Sequence, residues 1–143
     1  MATKAKAAMT TGIGRIPITS VSPNVDGGRF PVKAVVGERV RVHATSFREG
    51  HDQMGVQLLV TNPEGDTVRS PMTCTNPGLD HWEGSFRPDR EGEWSYRVEA
   101  FDAPYLTWAH NAEVKIAAGV DEELMCAEGV IVLKAALAEI PKK

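Results

Sequence analysis

Residues 93–100, with the sequence Glu-Trp-Ser-Tyr-Arg-Val-Glu-Ala, decide the fold class because apolar and polar side chains alternate along them without interruption. The apolar positions are Trp94, Tyr96, Val98 and Ala100. Successive side chains of a β-strand point to opposite faces of a sheet, so this pattern predicts a strand with one face in a core.

The same two-residue period recurs along most of the chain, in short segments separated by turns that contain proline or glycine. Short strands at roughly ten-residue spacing are typical of an antiparallel β-sandwich of the immunoglobulin-like type, which is the predicted fold. The further predicted strands are Ile16–Val21, Val32–Val36, Arg39–Ser46, Val56–Val60, Thr67–Pro71, His81–Arg87 and Thr107–Ile116.

The hydrophobic period changes towards the C-terminus, where a short helical segment is predicted. Asp121 is the expected N-cap and Pro141 the expected stop, while Gly129 predicts a break inside the helix. The apolar residues with helical spacing are Leu124, Ala127, Ile131, Leu133 and Leu137.

We therefore divide the chain into three parts. Residues 1–13, rich in Ala, Thr and Lys, form a leader that we expect to be disordered. Residues 14–118 form the sandwich, and residues 119–143 form the helical tail.

Composition and length exclude several classes of protein. With 143 residues and a net charge of −3, the chain lacks the basic excess typical of nucleic-acid binders. It contains no run of about 20 apolar residues for a membrane span and no apolar core of a secretory signal. Two distant cysteines, Cys74 and Cys126, suit reduced thiols in a cytoplasmic protein. A (β/α)₈ barrel needs roughly 250 residues and does not fit.

No motif predicts an active site, a cofactor site or a metal site. His43 and His81 are expected on solvated strand faces, and His110 on an inward row as a hydrogen-bonded core or interface residue. His51-Asp52 is either a general-base pair or a polar turn, and the turn is favoured. The acidic pairs Asp80/Glu83 and Asp89/Glu91 have the residue types of a glycosidase, but acids in turns are usually only solvated.

Surface aromatic and apolar residues offer two further hypotheses. Tyr105 and Trp108, near Pro104, are candidates for stacking on a sugar, whereas Trp82 and Trp94 lie on predicted core rows. Phe47 and Leu59 are apolar residues at positions that the alternation places on the outward face of their predicted strands. Exposed apolar patches mark protein interfaces.

Five motifs in order resemble the N-terminal region of bacterial maltosyltransferases of the α-amylase-like type, from about Gly14 to Ala136. The similarity rests on the order and spacing of the motifs, since each is common by itself. They are Gly14-Arg15-Ile16-Pro17, Phe47-Arg48-Glu49-Gly50-His51-Asp52, Gly92-x-Trp94-Ser95-Tyr96-x-Val98-Glu99-Ala100, Thr107-Trp108-x-His110 and Lys115-Ile116-x-Ala118-Gly119-x-Asp121-x-Glu123-Leu124.

This resemblance implies a non-catalytic N-terminal domain of an enzyme that transfers maltose from maltose 1-phosphate to α-1,4-glucan in cytoplasmic, glycogen-like glucan synthesis. The family's retaining chemistry takes place in a separate (β/α)₈ barrel, so no catalytic residue is carried over to this chain. The family also implies a homodimer, with interface candidates that extend the outward apolar pair into the tail. These candidates are Phe47, Leu59, Leu124, Ile131, Leu133 and Leu137.

Two alternative functions remain open at this point. A carbohydrate-binding sandwich would recognise α-glucan through Tyr105 and Trp108. An extracellular adhesion or receptor module is disfavoured because the chain has no secretory signal and no paired strand cysteines.

Overall fold

The computed structural model describes residues 15–140, and the predicted leader 1–13 lies outside them. Two antiparallel sheets form a sandwich, and two helices follow it, which confirms the predicted fold class. One sheet has the strand order β1-β2-β6-β5 and the other has the order β4-β3-β7. The strands are β1 Ile18–Ser22, β2 Val40–Ser46, β3 Met54–Thr61, β4 Thr67–Pro71, β5 Thr73–Asn76, β6 His81–Phe86 and β7 Ser95–Asp102.

The core of the sandwich lies between the sheets and follows the predicted alternation. Val42 and Ala44 of β2 face Val56, Leu58 and Val60 of β3, and all five are buried. The aromatic residues of β6, of β7 and of the segment just before β7 complete this core, as the sequence analysis predicted. The partly buried residues packed on it are Ile18, Val21, Met54, Trp82, Phe86, Trp94, Tyr96, Val98 and Ala100.

The strand predicted at Thr107–Ile116 is wrong, because this segment lies in helix α1, Pro104–Ala117. Proline stands at the first helical position, where its missing N–H leaves no hydrogen bond unmade. Helix α2, Glu122–Glu139, follows after the four residues 118–121, so helical structure begins at Pro104.

Two other local predictions are also wrong. Helix α2 runs through Gly129 without a break. Residues Val32–Val36 form no strand, since they belong to a long connection between β1 and β2 whose Gly37 N–H donates to Pro88 O at 2.7 Å. Asp121 does occupy the N-cap position, but its carboxylate accepts from Lys115 Nζ at 3.1 Å instead of capping α2.

Within residues 15–140, no helix is long and apolar enough to cross a membrane.

Candidate functional site

The helices α1 and α2 form a hairpin that is held together by one tryptophan and one glycine. The indole Nε1 of Trp108 donates to Met125 O at 2.7 Å. A Cβ at Gly129 would lie 2.7 Å from Cε2 of Trp108 and closer still to Cζ2, so only glycine lets the ring approach α2. Ala112 and Met125 are also buried at this contact.

The rest of the hairpin exposes apolar side chains on both helices. Leu137 is 66% exposed and Ile131 is 69% exposed, although a soluble helix normally turns such residues inward. We call the full set the hairpin surface, and large apolar side chains exposed in such number indicate an interaction site. Its members are Tyr105, Leu106, Val114, Ile116, Val120, Leu124, Val130, Ile131, Leu133, Leu137 and Ile140.

An ionic and hydrogen-bonded joint connects the hairpin to the sandwich. Arg48 donates to Asp52 at 2.9 Å and also pairs with Asp102 at the end of β7. The Gln53 N–H donates to Thr107 Oγ1 at 2.8 Å, and the Ala103 N–H donates to Gln53 O at 3.2 Å. These contacts fix the direction in which α1 leaves the sheet.

The contacts at this joint distinguish between the two interpretations of His51-Asp52. The Asp52 carboxylate is engaged by Arg48 and does not orient His51 as a general base would require. The polar-turn interpretation therefore fits the geometry better. A cavity of about 380 Å³ lies beside this joint, between Arg48, Trp108 and Glu128.

A larger groove of about 1050 Å³ runs beneath the long connection between β1 and β2. Its walls include Phe30 of that connection and Phe86, Trp94 and Tyr96 of the sandwich. The Tyr96 hydroxyl donates to Pro23 O and so ties the connection to β7. Burial raises the pKa of this phenol.

Two of the four histidines, His43 and His81, lie next to each other, and the other two lie elsewhere. His43 Nδ1 lies 3.2 Å from His81 Nε2 and 3.8 Å from Glu83 Oε2, on the outer face of β2 and β6. Both rings point away from the core as predicted, but they are half-buried rather than fully solvated. His110 is exposed on α1, so its predicted inward position is wrong. No group of three or more potential metal ligands occurs among residues 15–140.

Of the acidic residues named as glycosidase candidates, Asp89 lacks the environment of a general acid. A general acid needs a raised pKa, whereas the hydrogen bond from Arg90 lowers the pKa of Asp89. Hydrogen bonds from Gln57 and Arg97 also lower the pKa of Glu99 on β7, a residue outside the candidate pairs. These carboxylates are therefore ionised partners of nearby donors at neutral pH.

The predicted surface residues fall in different environments. Phe47 is 43% exposed as expected, but Leu59 is only 2% exposed, so its predicted exposure is wrong. Leu59 lies directly opposite Arg69 and Arg97 in the neighbouring strands. The long apolar stems of arginine side chains are able to cover a neighbouring apolar residue, which accounts for its burial. The tail residues Leu124 and Leu133 are exposed on α2.

The proposed sugar-stacking residues are adjacent on α1, with ring centroids 5.8 Å apart. Tyr105 is exposed, whereas the Trp108 ring is partly enclosed by α2. Sequence reasoning missed this pairing of Trp108 with Gly129. The signal was a glycine inside an otherwise apolar helical pattern, which indicates a close packing contact.

Comparisons with known proteins agree with the resemblance. The family model described as alpha-1,4-glucan:maltose-1-phosphate maltosyltransferase, domain N/S, matches residues 14–142. A curated relative from Streptomyces coelicolor, alpha-1,4-glucan:maltose-1-phosphate maltosyltransferase 2, is 45% identical over 134 residues, which is 93% of this chain. Enzymes of the same name from Arcanobacterium haemolyticum and Myxococcus xanthus are 45% and 37% identical over 90% and 91% of this chain.

The chain spans about a fifth of the length of these relatives, at 20%, 19% and 20% respectively. The match therefore concerns one region of much longer proteins. Within that limit it is continuous from the start of the sandwich to the end of α2. The chain belongs to the family of the N/S domain of alpha-1,4-glucan:maltose-1-phosphate maltosyltransferases.

Proposed function

We propose that this chain is the non-catalytic, dimer-forming N-terminal domain of a maltosyltransferase. Its parent enzyme would transfer maltose from maltose 1-phosphate to α-1,4-glucan in the cytoplasm, during synthesis of a glycogen-like polymer. The match of nearly the whole chain to one fifth of such enzymes carries this proposal. The engaged carboxylates and histidines described above support a role outside catalysis.

The hairpin surface supports the further proposal that α1 and α2 pack against other parts of the parent. Burial of a leucine-sized side chain is worth about 1.5–3 kcal/mol relative to exposure. Burying several of the exposed residues in a contact would therefore stabilise that contact strongly. Leu124, Ile131, Leu133 and Leu137 are the central candidates, and Phe47 is a candidate on the sandwich. Leu59 is too buried to offer a contact without rearrangement.

A phosphate-release assay tests the catalytic part of the proposal. With maltose 1-phosphate and glycogen, the isolated chain should release no phosphate, and the parent-length protein should release it steadily. Turnover by the isolated chain would overturn the assignment. A parent-length protein that folds but shows no transfer would contradict the proposed activity.

Light scattering during size-exclusion chromatography tests the dimer. The parent should elute at twice its chain mass, and deletion of residues 15–140 should reduce the dimer fraction. A parent that stays dimeric without these residues would show that the domain does not form the interface.

A second candidate function is α-glucan binding, favoured by the exposed Tyr105 ring beside Trp108. Titration calorimetry with maltoheptaose would then show binding that Tyr105→Ala removes and Phe47→Ala preserves. Absence of heat at millimolar sugar would rule out this candidate.

A further inference from the structure

Two histidines from neighbouring strands meet on the outer face of the sheet that contains β2 and β6. His43 Nδ1 lies 3.2 Å from His81 Nε2. The ring centroids are 5.2 Å apart and the ring planes are tilted by 27°, so the two nitrogens lie on the edges through which the rings meet. Because imidazole is the commonest metal ligand among side chains, this arrangement suits a metal ion as well as a shared proton.

The separation of the two nitrogens matches the geometry of a bound transition-metal ion. Zinc binds histidine nitrogens at about 2.0–2.1 Å, in most cases with tetrahedral geometry. An ion at that distance from both His43 Nδ1 and His81 Nε2 would make an angle of about 100° between them, which is close to tetrahedral. Both side chains are half-buried, so an ion in solvent has access to the nitrogens.

The backbone holds the two histidines in a fixed relation. Strands β2 and β6 pair without a bulge from Val40↔Phe86 to Thr45↔His81. Strands β1 and β5 pair with their outer sides, so both histidines lie on central strands of a four-stranded sheet. Sites built on strands are positioned more precisely than sites on loops. Metal binding therefore requires little ordering of the chain.

One carboxylate beside the pair offsets the charge of a bound ion. Glu83 lies directly opposite His43, and its Oε2 is 3.8 Å from His43 Nδ1. Arg41 precedes His43 by two residues on the same face of β2, and its positive charge opposes that of the ion. The part of the chain that the structure describes holds no group of three potential ligands, so water would fill the remaining coordination positions.

We infer that His43 and His81 together bind one divalent transition-metal ion, such as Zn²⁺, between β2 and β6. In the ion-free protein, one of the two facing nitrogens donates a hydrogen bond to the other. On binding, the ring that donates moves this proton to its other nitrogen, so that both facing nitrogens bind the ion through their lone pairs. Because the ion joins two strands of the native sheet, it stabilises the folded chain by mass action.

Titration calorimetry of the full chain with Zn²⁺ tests the site. Cys126 is exposed and its thiol would compete for zinc, so every sample carries Cys126→Ser. His43→Gln and His81→Gln each remove one of the two ligands, so each should raise the dissociation constant by about tenfold or more. His110→Gln is the matched control, because His110 is exposed on α1, and it should leave the dissociation constant unchanged.

Thermal unfolding with and without Zn²⁺ supplies an independent readout. Zinc should raise the melting temperature of the protein with both histidines and of the His110→Gln control, but not that of His43→Gln or His81→Gln. If the pair is only a hydrogen bond, His43→Gln will lower the melting temperature equally with and without zinc, which overturns the proposal. Absence of zinc binding, or binding that survives in both His43→Gln and His81→Gln, also overturns it.

Discussion

The sandwich and the helical hairpin use apolar residues in opposite ways. In the sandwich, two sheets enclose a core whose central side chains have no contact with water. In the hairpin, buried positions are confined to Ala112, Met125 and Gly129 among the described residues, and most large apolar side chains are exposed. The difference teaches that burial of apolar side chains within this chain stabilises the first region far more than the second, which is the observation behind the proposed contacts of the hairpin.

Two leucine substitutions provide the largest contrast between these regions. Leu58→Ala leaves a cavity in a closed core and should lower the free energy of unfolding by about 3 kcal/mol. Leu137→Ala removes a side chain that already contacts water and should change it by less than about 0.5 kcal/mol. Urea denaturation followed by tryptophan fluorescence measures both. Equal losses would remove the distinction between the two regions.

Gly129→Ala tests whether the hairpin has a specific contact of its own. In an ordinary helix this change stabilises by about 1 kcal/mol. Here the new methyl group collides with the Trp108 ring, so we expect a loss of about 1–3 kcal/mol. Hydrogen exchange should show faster opening of α1 and α2 with little change in β2 and β3.

Ala127→Gly serves as the matched control, because it lies on the same helix and is exposed. It should cost about 1 kcal/mol through helix propensity alone and leave the near-ultraviolet signal of Trp108 unchanged. Stabilisation by Gly129→Ala would show that the ring does not pack on α2 as described.

Tyr96→Phe tests one hydrogen bond of the sandwich, because it removes the hydroxyl that donates to Pro23 O. We expect a loss of about 1 kcal/mol at neutral pH. Burial raises the pKa of Tyr96 in the folded protein above the unfolded value of about 10. Below that value the phenol is protonated in both states, so its contribution to the free energy of unfolding is complete. That contribution is lost as the pH rises through the pKa of the folded state. Denaturation at pH 7 and pH 11 should show the gap between variant and wild type narrowing. A constant gap would contradict this linkage.

The smallest expected effect comes from the hairpin surface. Replacing both Leu124 and Leu137 with lysine should change the free energy of unfolding of the isolated chain by less than about 0.5 kcal/mol, because both side chains are exposed. The same double variant should bind less of a hydrophobic dye. Marked destabilisation, measured by thermal unfolding, would show that the hairpin already buries these residues against the chain.

The alternation of apolar and polar residues predicted the sandwich well, because one face of a sandwich strand points to solvent and the other to the core. Strand β2 follows that pattern closely, whereas in β3 the outward Leu59 is buried as well. Strand β5 was missed because it has four residues and too few alternations to be distinguished from a turn.

The segment after β7 misled the same reasoning. Residues 108–116 alternate in hydropathy, but the structure shows that they form a helix. Because apolar side chains lie on the exposed as well as the buried side of this helix, its hydropathy pattern does not distinguish a helical period from a two-residue period. Pro104 followed by an uninterrupted run without glycine was the signal for a helix start. The exposed apolar residues of α2 were identified from sequence, whereas the burial of Leu59 depends on cross-strand neighbours that only the register reveals.

The joint at Arg48, Asp52 and Asp102 gives the sandwich control over direction as well as position. The joint lies beside the middle of α2, because Glu128, Ile131 and Val132 line the same cavity as the three joint residues. From Val132 to Glu139 the helix rises about 10 Å at 1.5 Å per residue, so a rotation of about 10° at the joint would move the end of α2 by about 2 Å. A few hydrogen bonds at the base of the hairpin therefore set the direction in which the end of α2 points.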